Sequence, residues 1–312
     1  MGYRINQHLP KYVGLFLVLL LWVGVPAMAQ SQVVGNGYNN SLIYKIQSDT
    51  NTVYLLGSIH VLAEEYYPLT RAFSYAYYNS QKVIFEIDPE ILFSSATSKK
   101  IAKHYTFSNG KTLKTVLSRN TYALLKKKLD AMGIGMEEVK KFKPWVVNKI
   151  VGSSLFSARD FRPDLGIENY FYRMAKDAEK PTAGLETIED QLNIDDKLPL
   201  KMQEAILRDT LSISNSKEVK KAFLHLVKSW HQGNFNELEN IIDTQKKKNP
   251  KYHHALLTNR NKKWMPQIEA FLQEDKNVLV IVGAAHLVGE DGLITLLTEK
   301  GYELERVSYA RP

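Results

Sequence analysis

The sequence predicts an α/β fold: a mixed central sheet built from strand, Gly-x-x-His, helix, strand units at the two chain ends, with a large helical insertion between them. Three observations lead there. Residues 41–95 and 256–312 hold the short, strongly apolar runs that buried strands require. Residues 96–255 nearly lack strand signals and read with helical spacing instead. The third observation is a repeated tetrad after an apolar strand, Gly57-Ser58-Ile59-His60 near one end and Gly283-Ala284-Ala285-His286 near the other.

With 312 residues, 44% of them hydrophobic and 24% charged, the chain has the composition of an ordinary globular protein. That excludes collagen-like, coiled-coil and wholly disordered chains. The length supports a real core without a disulfide or metal staple. Cysteine is absent, which removes thiol catalysis and zinc-thiolate sites from consideration. No Gly-x-Ser-x-Gly elbow offers a serine nucleophile either.

Residues 1–29 read as a signal peptide, with Arg4 and Lys11 at the start, an uncharged apolar run from Val13 to Val25, and Ala27-Met28-Ala29 as the cleavage site. The run falls short of the roughly 20 residues that span a bilayer, so a stable membrane anchor after leader cleavage is not expected. The mature chain is expected in the periplasm or outside the cell. Residues 30–40 are polar and Gly/Asn-rich, as a mobile tail would be.

The domain proper is expected over 41–312. Ser41–Gln47 and Thr52–Leu56 are β-prone runs separated by Ser48-Asp49-Thr50-Asn51, a hairpin signal. Leu69–Ser80 has helical spacing, and Lys82–Ile87 reads as the next buried strand. Helices follow over Asn120–Met132, Ile167–Ala178, Leu200–Leu211, Ser216–His231 and Phe235–Lys248, with Pro144, Pro163, Pro181 and Pro199 as boundaries. A helix from Leu256 to Gln273, an apolar strand Asn277–Val282, a helix Leu293–Lys300 and a strand Tyr302–Ser308 close the chain.

The formal net charge of +8 is concentrated between Lys99 and Lys149, where thirteen Lys or Arg face three acids, Asp130, Glu137 and Glu138. Such a lobe could attract an anionic surface or polysaccharide. Placement of Lys126-Lys127-Lys128 between Leu124-Leu125 and Leu129 suits better the wet face of an amphipathic helix whose other face is buried. Aromatics are not interleaved with these bases, and nucleic-acid binding is not expected.

In α/β sheets ligands bind beyond the carboxyl ends of the strands, and a glycine there lets the chain turn and leave a following histidine facing the crevice. If the two strands are neighbours, His60 and His286 converge on one pocket, each able to ligate a metal or act as a base. Glu86, in Phe85-Glu86-Ile87-Asp88, is costly to bury unless it meets a cation, a histidine or a hydrogen-bond donor. Strand alternation places Asp88 on the face of Glu86. His104, His225, His231, His253 and His254 lie in the polar helical region and are expected at the surface.

Taken in order, several motifs resemble the TraB/GumN family, related to the Tiki metalloproteases and more distantly to erythromycin esterases and haem-binding ChaN-like proteins. They are Leu56-Gly57-Ser58-Ile59-His60, Tyr67-Pro68-Leu69, Phe85-Glu86-Ile87-Asp88, Leu165-Gly166-Ile167-Glu168, Gly184-Leu185-Glu186-Thr187, Asn259-Arg260-Asn261 and Gly283-Ala284-Ala285-His286. Ser58 stands where the family usually has Thr, and Glu168 where it often has Asp. The resemblance implies a metal-dependent hydrolase with His60, His286 and Glu86 in its site. It also brings in Arg260, as a group that stabilises an oxyanion or a carboxylate, and Glu186 as an outer acid beside Asp88.

The expected function is an exported metal-dependent hydrolase, peptidase-like, acting on a peptide or ester carbonyl. His60, His286 and Glu86 would hold the divalent ion, and manganese, cobalt or zinc would suit that donor set. A non-catalytic haem- or metal-binding protein is the alternative, as is an accessory factor for exported polysaccharide using the Lys99–Lys149 lobe.

Overall fold

The computed structural model describes residues 39–92, 94–154, 161–213 and 216–309. The expected leader, and the tail as far as residue 38, lie outside the described residues. Six strands form one mixed sheet: β1 (Asn39–Gln47), β2 (Thr52–Ser58), β3 (Lys82–Phe85), β4 (Thr182–Gly184), β5 (Val278–Gly283) and β6 (Leu304–Tyr309), in the order β4-β3-β5-β2-β1-β6. The α/β fold is therefore observed, with strands from both chain ends in one sheet.

Strand β5 lies between β2 and β3 and runs parallel to both. Its residues Val278, Leu279, Val280, Ile281 and Val282 are completely buried, which is why the sequence there is a continuous apolar run rather than an alternating one. Each such side chain contributes about 1.5–3 kcal/mol relative to exposure, so burial holds this central strand firmly. The hairpin β1–β2 pairs antiparallel with Gln47 opposite Thr52. Its turn is tied by Ser48, whose N–H donates to the Asn51 carbonyl at 2.9 Å and whose hydroxyl donates to Asn51 Oδ1 at 2.8 Å.

Several helices accompany the sheet. The helix α1 (Arg71–Tyr78) joins β2 to β3, is capped by the Thr70 side chain, and buries Ala72, Phe73, Ala76 and Tyr77. A second, α2 (Ile167–Asp177), buries Ile167, Phe171 and Ala175, spaced by four along one face. Next, α3 (Asn259–Phe271) is entered through a π-turn at His254–Thr258, and α4 (Leu293–Glu299) leads from β5 to β6. The strand β4 has no counterpart in the expected elements. At three residues, Thr-Ala-Gly, it shows neither alternation nor an apolar run.

The described chain divides into two compact units. One comprises Glu90–Pro163 and Thr187–Lys221; the other comprises the described parts of Gly24–Pro89, Asp164–Glu186 and Ala222–Pro312, and so contains the whole sheet. The stretch 96–255, expected as one insertion, is thus shared between the two units. In the first unit, Leu200–Leu211 packs on Pro144–Ser153. Here Lys149 pairs with Asp195 at 3.1 Å, and Lys143 and His104 with Asp196 at 2.5 and 3.2 Å. Lys100, Lys126 and Lys140 also pair, with Glu189, Asp130 and Glu137. Three of these lysines, Lys100, Lys143 and Lys149, are thus met by acids of the same unit from outside the basic stretch.

Candidate active site

Register places the two Gly-x-x-His tetrads side by side. Ser58 on β2 is opposite Gly283 on β5, and Phe85 at the end of β3 is opposite Ile281 of β5 and Gly184 of β4. The carboxyl ends of four adjacent parallel strands thus form one edge, the place where α/β sheets bind ligands. Pairing continues past β4, since the Glu186 N–H donates to the Glu86 carbonyl at 2.9 Å, and this sets the two carboxylates beside each other.

Glu86 is 6% exposed. Its Oε1 accepts the Gly283 N–H at 2.7 Å and its Oε2 accepts from Arg260 Nη2 at 2.5 Å. Burial by itself would raise its pKa. The positive charge of Arg260, with the two histidines and the Gly283 N–H, more than reverses that and holds the carboxyl well below the usual range. Glu86 is an anion in this setting.

Two neighbours on α3 grip His286 from both sides. Its Nδ1 lies 2.6 Å from Asn261 Oδ1, which fixes that nitrogen as the N–H, and its Nε2 accepts from Arg260 Nη1 at 2.8 Å. The ring also packs on Trp264, centroid to centroid 4.5 Å. Burial and the adjacent guanidinium push its pKa down to about 3, so His286 is neutral. His60 contrasts with it. Its Nδ1 is 2.7 Å from Glu168 Oε1, which also accepts the Ser58 hydroxyl. Burial pulls the His60 pKa down, but the charge and hydrogen bond of Glu168, helped by Glu86, outweigh that and lift it to about 9.

Arg260 uses every N–H it has. Nε donates to both Glu186 oxygens at 3.1 Å, Nη2 to Glu86 and to Glu186 at 2.7 Å, and Nη1 to the Leu256 carbonyl at 3.0 Å and to His286. No donor is left over for a substrate oxyanion in this arrangement. Asp88, expected beside Glu86, accepts instead from Thr182 Oγ1 at 3.1 Å, because β3 ends at Phe85 and strand alternation stops there.

The structure thus brings His60, Glu86, Glu186, Arg260 and His286 together and places Asp88 on the β3–β4 edge. Three further residues join them that the sequence did not single out as site groups: Ser58, Glu168 and Asn261. The available signal was position, Ser58 and Glu168 lying inside quoted motifs and Asn261 next to Arg260. His253, expected at the surface, is 8% exposed, and burial lowers its pKa.

Gly283 marks where the groups meet. A methyl group there would sit 3.2 Å from Glu86 Oε1, 3.7 Å from His286 Cδ2 and 3.9 Å from His60 Nε2. Each imidazole has its Nδ1 tied to an outer partner, the arrangement that fixes ring orientation and tautomer in metal-ligating histidines. By donor type the residues suit a divalent ion. Among the described residues, however, no three His, Asp or Glu side chains stand close enough together to hold one. The cation lying on Glu86 and His286 is the guanidinium of Arg260.

A model of the TraB/PrgY/gumN family matches residues 42–306, most of the chain and both tetrads. The chain belongs to the TraB/PrgY/gumN family. Among curated proteins, this TraB/PrgY/gumN member is similar to Metalloprotease TIKI2 of Xenopus tropicalis, 23% identical over 85% of this chain and 60% of that protein. It is likewise similar to Metalloprotease TIKI1 of Danio rerio, 23% identical over 88% of this chain and 64% of that one. The human Metalloprotease TIKI1 is 22% identical over 88% of this chain and 63% of its own length. The chain therefore spans about three fifths of the length of these relatives. No solved structure matches it significantly. No described helix is long and apolar enough to cross a membrane.

Proposed function

We propose that this TraB/PrgY/gumN protein is a metal-dependent hydrolase of peptidase type, with His60, His286 and Glu86 as the residues that hold the ion. The observation that carries this reading is that two imidazoles and a carboxylate face Gly283 at the carboxyl edge of β2, β5 and β3, the donor types a divalent ion takes, although they stand farther apart here than a bound ion would draw them. Similarity to proteins named metalloproteases supports it. Manganese, cobalt and zinc all suit two imidazole nitrogens with one carboxylate oxygen. A divalent ion, when bound, supplies Lewis-acid polarisation of an amide or ester carbonyl and of the attacking water.

The protein's own groups prepare that chemistry. Glu168 and Asn261 aim the two rings, each through Nδ1. Glu86 is kept ionised by Arg260 and the Gly283 N–H, so it offers a full negative charge in a buried setting. The His60 side chain is 24% exposed and that of His286 is 3% exposed, so substrate reaches the site from the His60 side.

Hydrolysis of a peptide library by the full chain, before and after chelation, tests the reading. Activity lost in EDTA and restored by one of the three ions is the expected result. Activity that survives chelation unchanged would leave a metal-free mechanism with a histidine as base. Absence of turnover together with a Soret band on haem addition, lost in His60→Ala, would turn the reading to the haem-binding alternative. The export proposed from the leader is checked by N-terminal sequencing of the mature protein, expected to begin at Gln30.

A further inference from the structure

We infer that the compact unit without the sheet carries a lysine face that docks on an anionic lipid surface. This inference does not rest on the metal-dependent reading, because no residue of the candidate active site takes part in it. Charge is divided unequally between the two units. Residues 90–163 and 187–221 hold twenty-one Lys or Arg against twelve Asp or Glu, a net +9. Residues 30–89, 164–186 and 222–312 hold eighteen against twenty-one, a net −3. The positive excess that remains beyond the expected leader therefore belongs to one unit, where like charges repel one another and a negative surface relieves them.

Backbone pairing gathers that excess. The Phe107 N–H donates to the Lys141 carbonyl at 3.0 Å and the Leu113 N–H to the Lys140 carbonyl at 2.9 Å, so exposed Lys111 and Lys114 are brought beside exposed Lys141. The helix Arg119–Ala131 touches the flanking turns Leu113–Val116 and Met136–Val139. It buries Thr121, Leu125 and Leu129, and Leu124, Lys127 and Lys128, spaced i, i+3 and i+4, share an open side. Lys126 is taken by Asp130 and Lys140 by Glu137, whereas Lys111, Lys114, Lys127, Lys128 and Lys141 form no ion pair with a described residue. Lipid suits this face better than a sugar polymer does. The exposed large apolar side chains of the unit are aliphatic, Ile91 at 57% and Leu124 at 36%, and the exposed aromatic ones, Tyr75 and Tyr78, belong to the other unit. An aliphatic side chain among lysines enters the boundary between headgroups and acyl chains, whereas a sugar ring would stack on an aromatic one. Lysine stems are flexible and let the ammonium follow headgroup phosphates, where fixed, forked recognition of a carboxylate or sulfate would call for arginine. Such contact is peripheral and needs no spanning helix.

Flotation of the purified mature protein with vesicles of phosphatidylglycerol and phosphatidylcholine, beside vesicles of phosphatidylcholine alone, tests this. Binding is expected to the anionic vesicles only, at about 0.15 M salt, and is expected to vanish at about 1 M, where the screening length falls from about 8 to about 3 Å. Lys111→Gln, Lys127→Gln and Lys141→Gln combined should weaken binding about a hundredfold, near fivefold for each lysine. Lys247→Gln, Lys251→Gln and Lys276→Gln remove the same charge from exposed positions of the other unit and should together cost less than about fivefold. Leu124→Ser should cost about threefold. Equal losses from the two triple variants would overturn the proposal by showing that net charge alone matters, and so would equal binding to the two kinds of vesicle. Tighter binding to dextran sulfate than to anionic vesicles, with Leu124→Ser without effect, would overturn the lipid partner in favour of the polysaccharide alternative.

Discussion

The two Gly-x-x-His tetrads are near copies in sequence and opposites in environment. His60 stands at the open side of the site, its Nδ1 on the carboxylate of Glu168 and its pKa lifted to about 9. His286 is closed in by Trp264, its Nδ1 on the neutral amide of Asn261, its Nε2 under a guanidinium and its pKa lowered to about 3. The tetrad fixes where a histidine stands at the end of a strand. The partner delivered by another element fixes whether that histidine is charged. One half of the site therefore stores a proton near neutral pH while the other keeps a neutral ring whose Nε2 is taken up by Arg260.

Glu86 is the residue the halves share, so its loss should be the most damaging. Glu86→Gln removes the negative charge while keeping the shape. It is expected to weaken metal affinity beyond the roughly 10–100-fold that loss of an outer partner costs, as read by calorimetry. Unchanged affinity with lost turnover would make Glu86 the base and not a ligand.

Separating the halves comes next in size. Glu168→Gln and Asn261→Ala each remove one Nδ1 partner and should each cost about 10–100-fold in affinity for the ion. The glutamate should cost more, because its charge is lost along with its hydrogen bond. Equal costs would show that only ring orientation matters.

A pH series on chelated protein probes the same asymmetry through stability. The folded pKa of His60 lies above the ordinary value of about 6.5, near 9. The His60–Glu168 pair therefore contributes in full below about pH 6.5 and is lost as the pH rises through about 9. Thermal unfolding of wild type should show that loss between those limits, and Glu168→Gln should flatten it. A wild-type profile identical to that of the variant would contradict the assignment of the proton. The smallest effect concerns the backbone that carries His60. The Trp230 indole N–H donates to the Gly57 carbonyl at 2.8 Å, and Trp230→Phe should cost about 1 kcal/mol of stability with the metal affinity nearly intact.

The sheet and most helices were legible because each is a self-contained pattern. Val278–Val282 is apolar throughout because it is buried on both faces, and Ile167, Phe171 and Ala175 repeat at the spacing of one helical face. β4 was not legible. Thr182-Ala183-Gly184 is a strand only because β3 offers its edge, and nothing in three small residues announces that. The same reason governs the site. His60, Glu86 and His286 sit at strand ends that the apolar runs locate, whereas Glu168 and Asn261 reach their histidines across 108 and 25 residues of chain by way of helices whose placement only the fold defines. The expected alliance of Asp88 with Glu86 assumed that β3 continues; it ends one residue before Glu86.

That both tetrads serve one ion is tested most directly by metal analysis of the purified wild-type protein beside His60→Ala and His286→Ala. The expected result is about one equivalent of manganese, cobalt or zinc in the wild type and loss of the ion in both variants. Full retention in either variant would contradict a shared site.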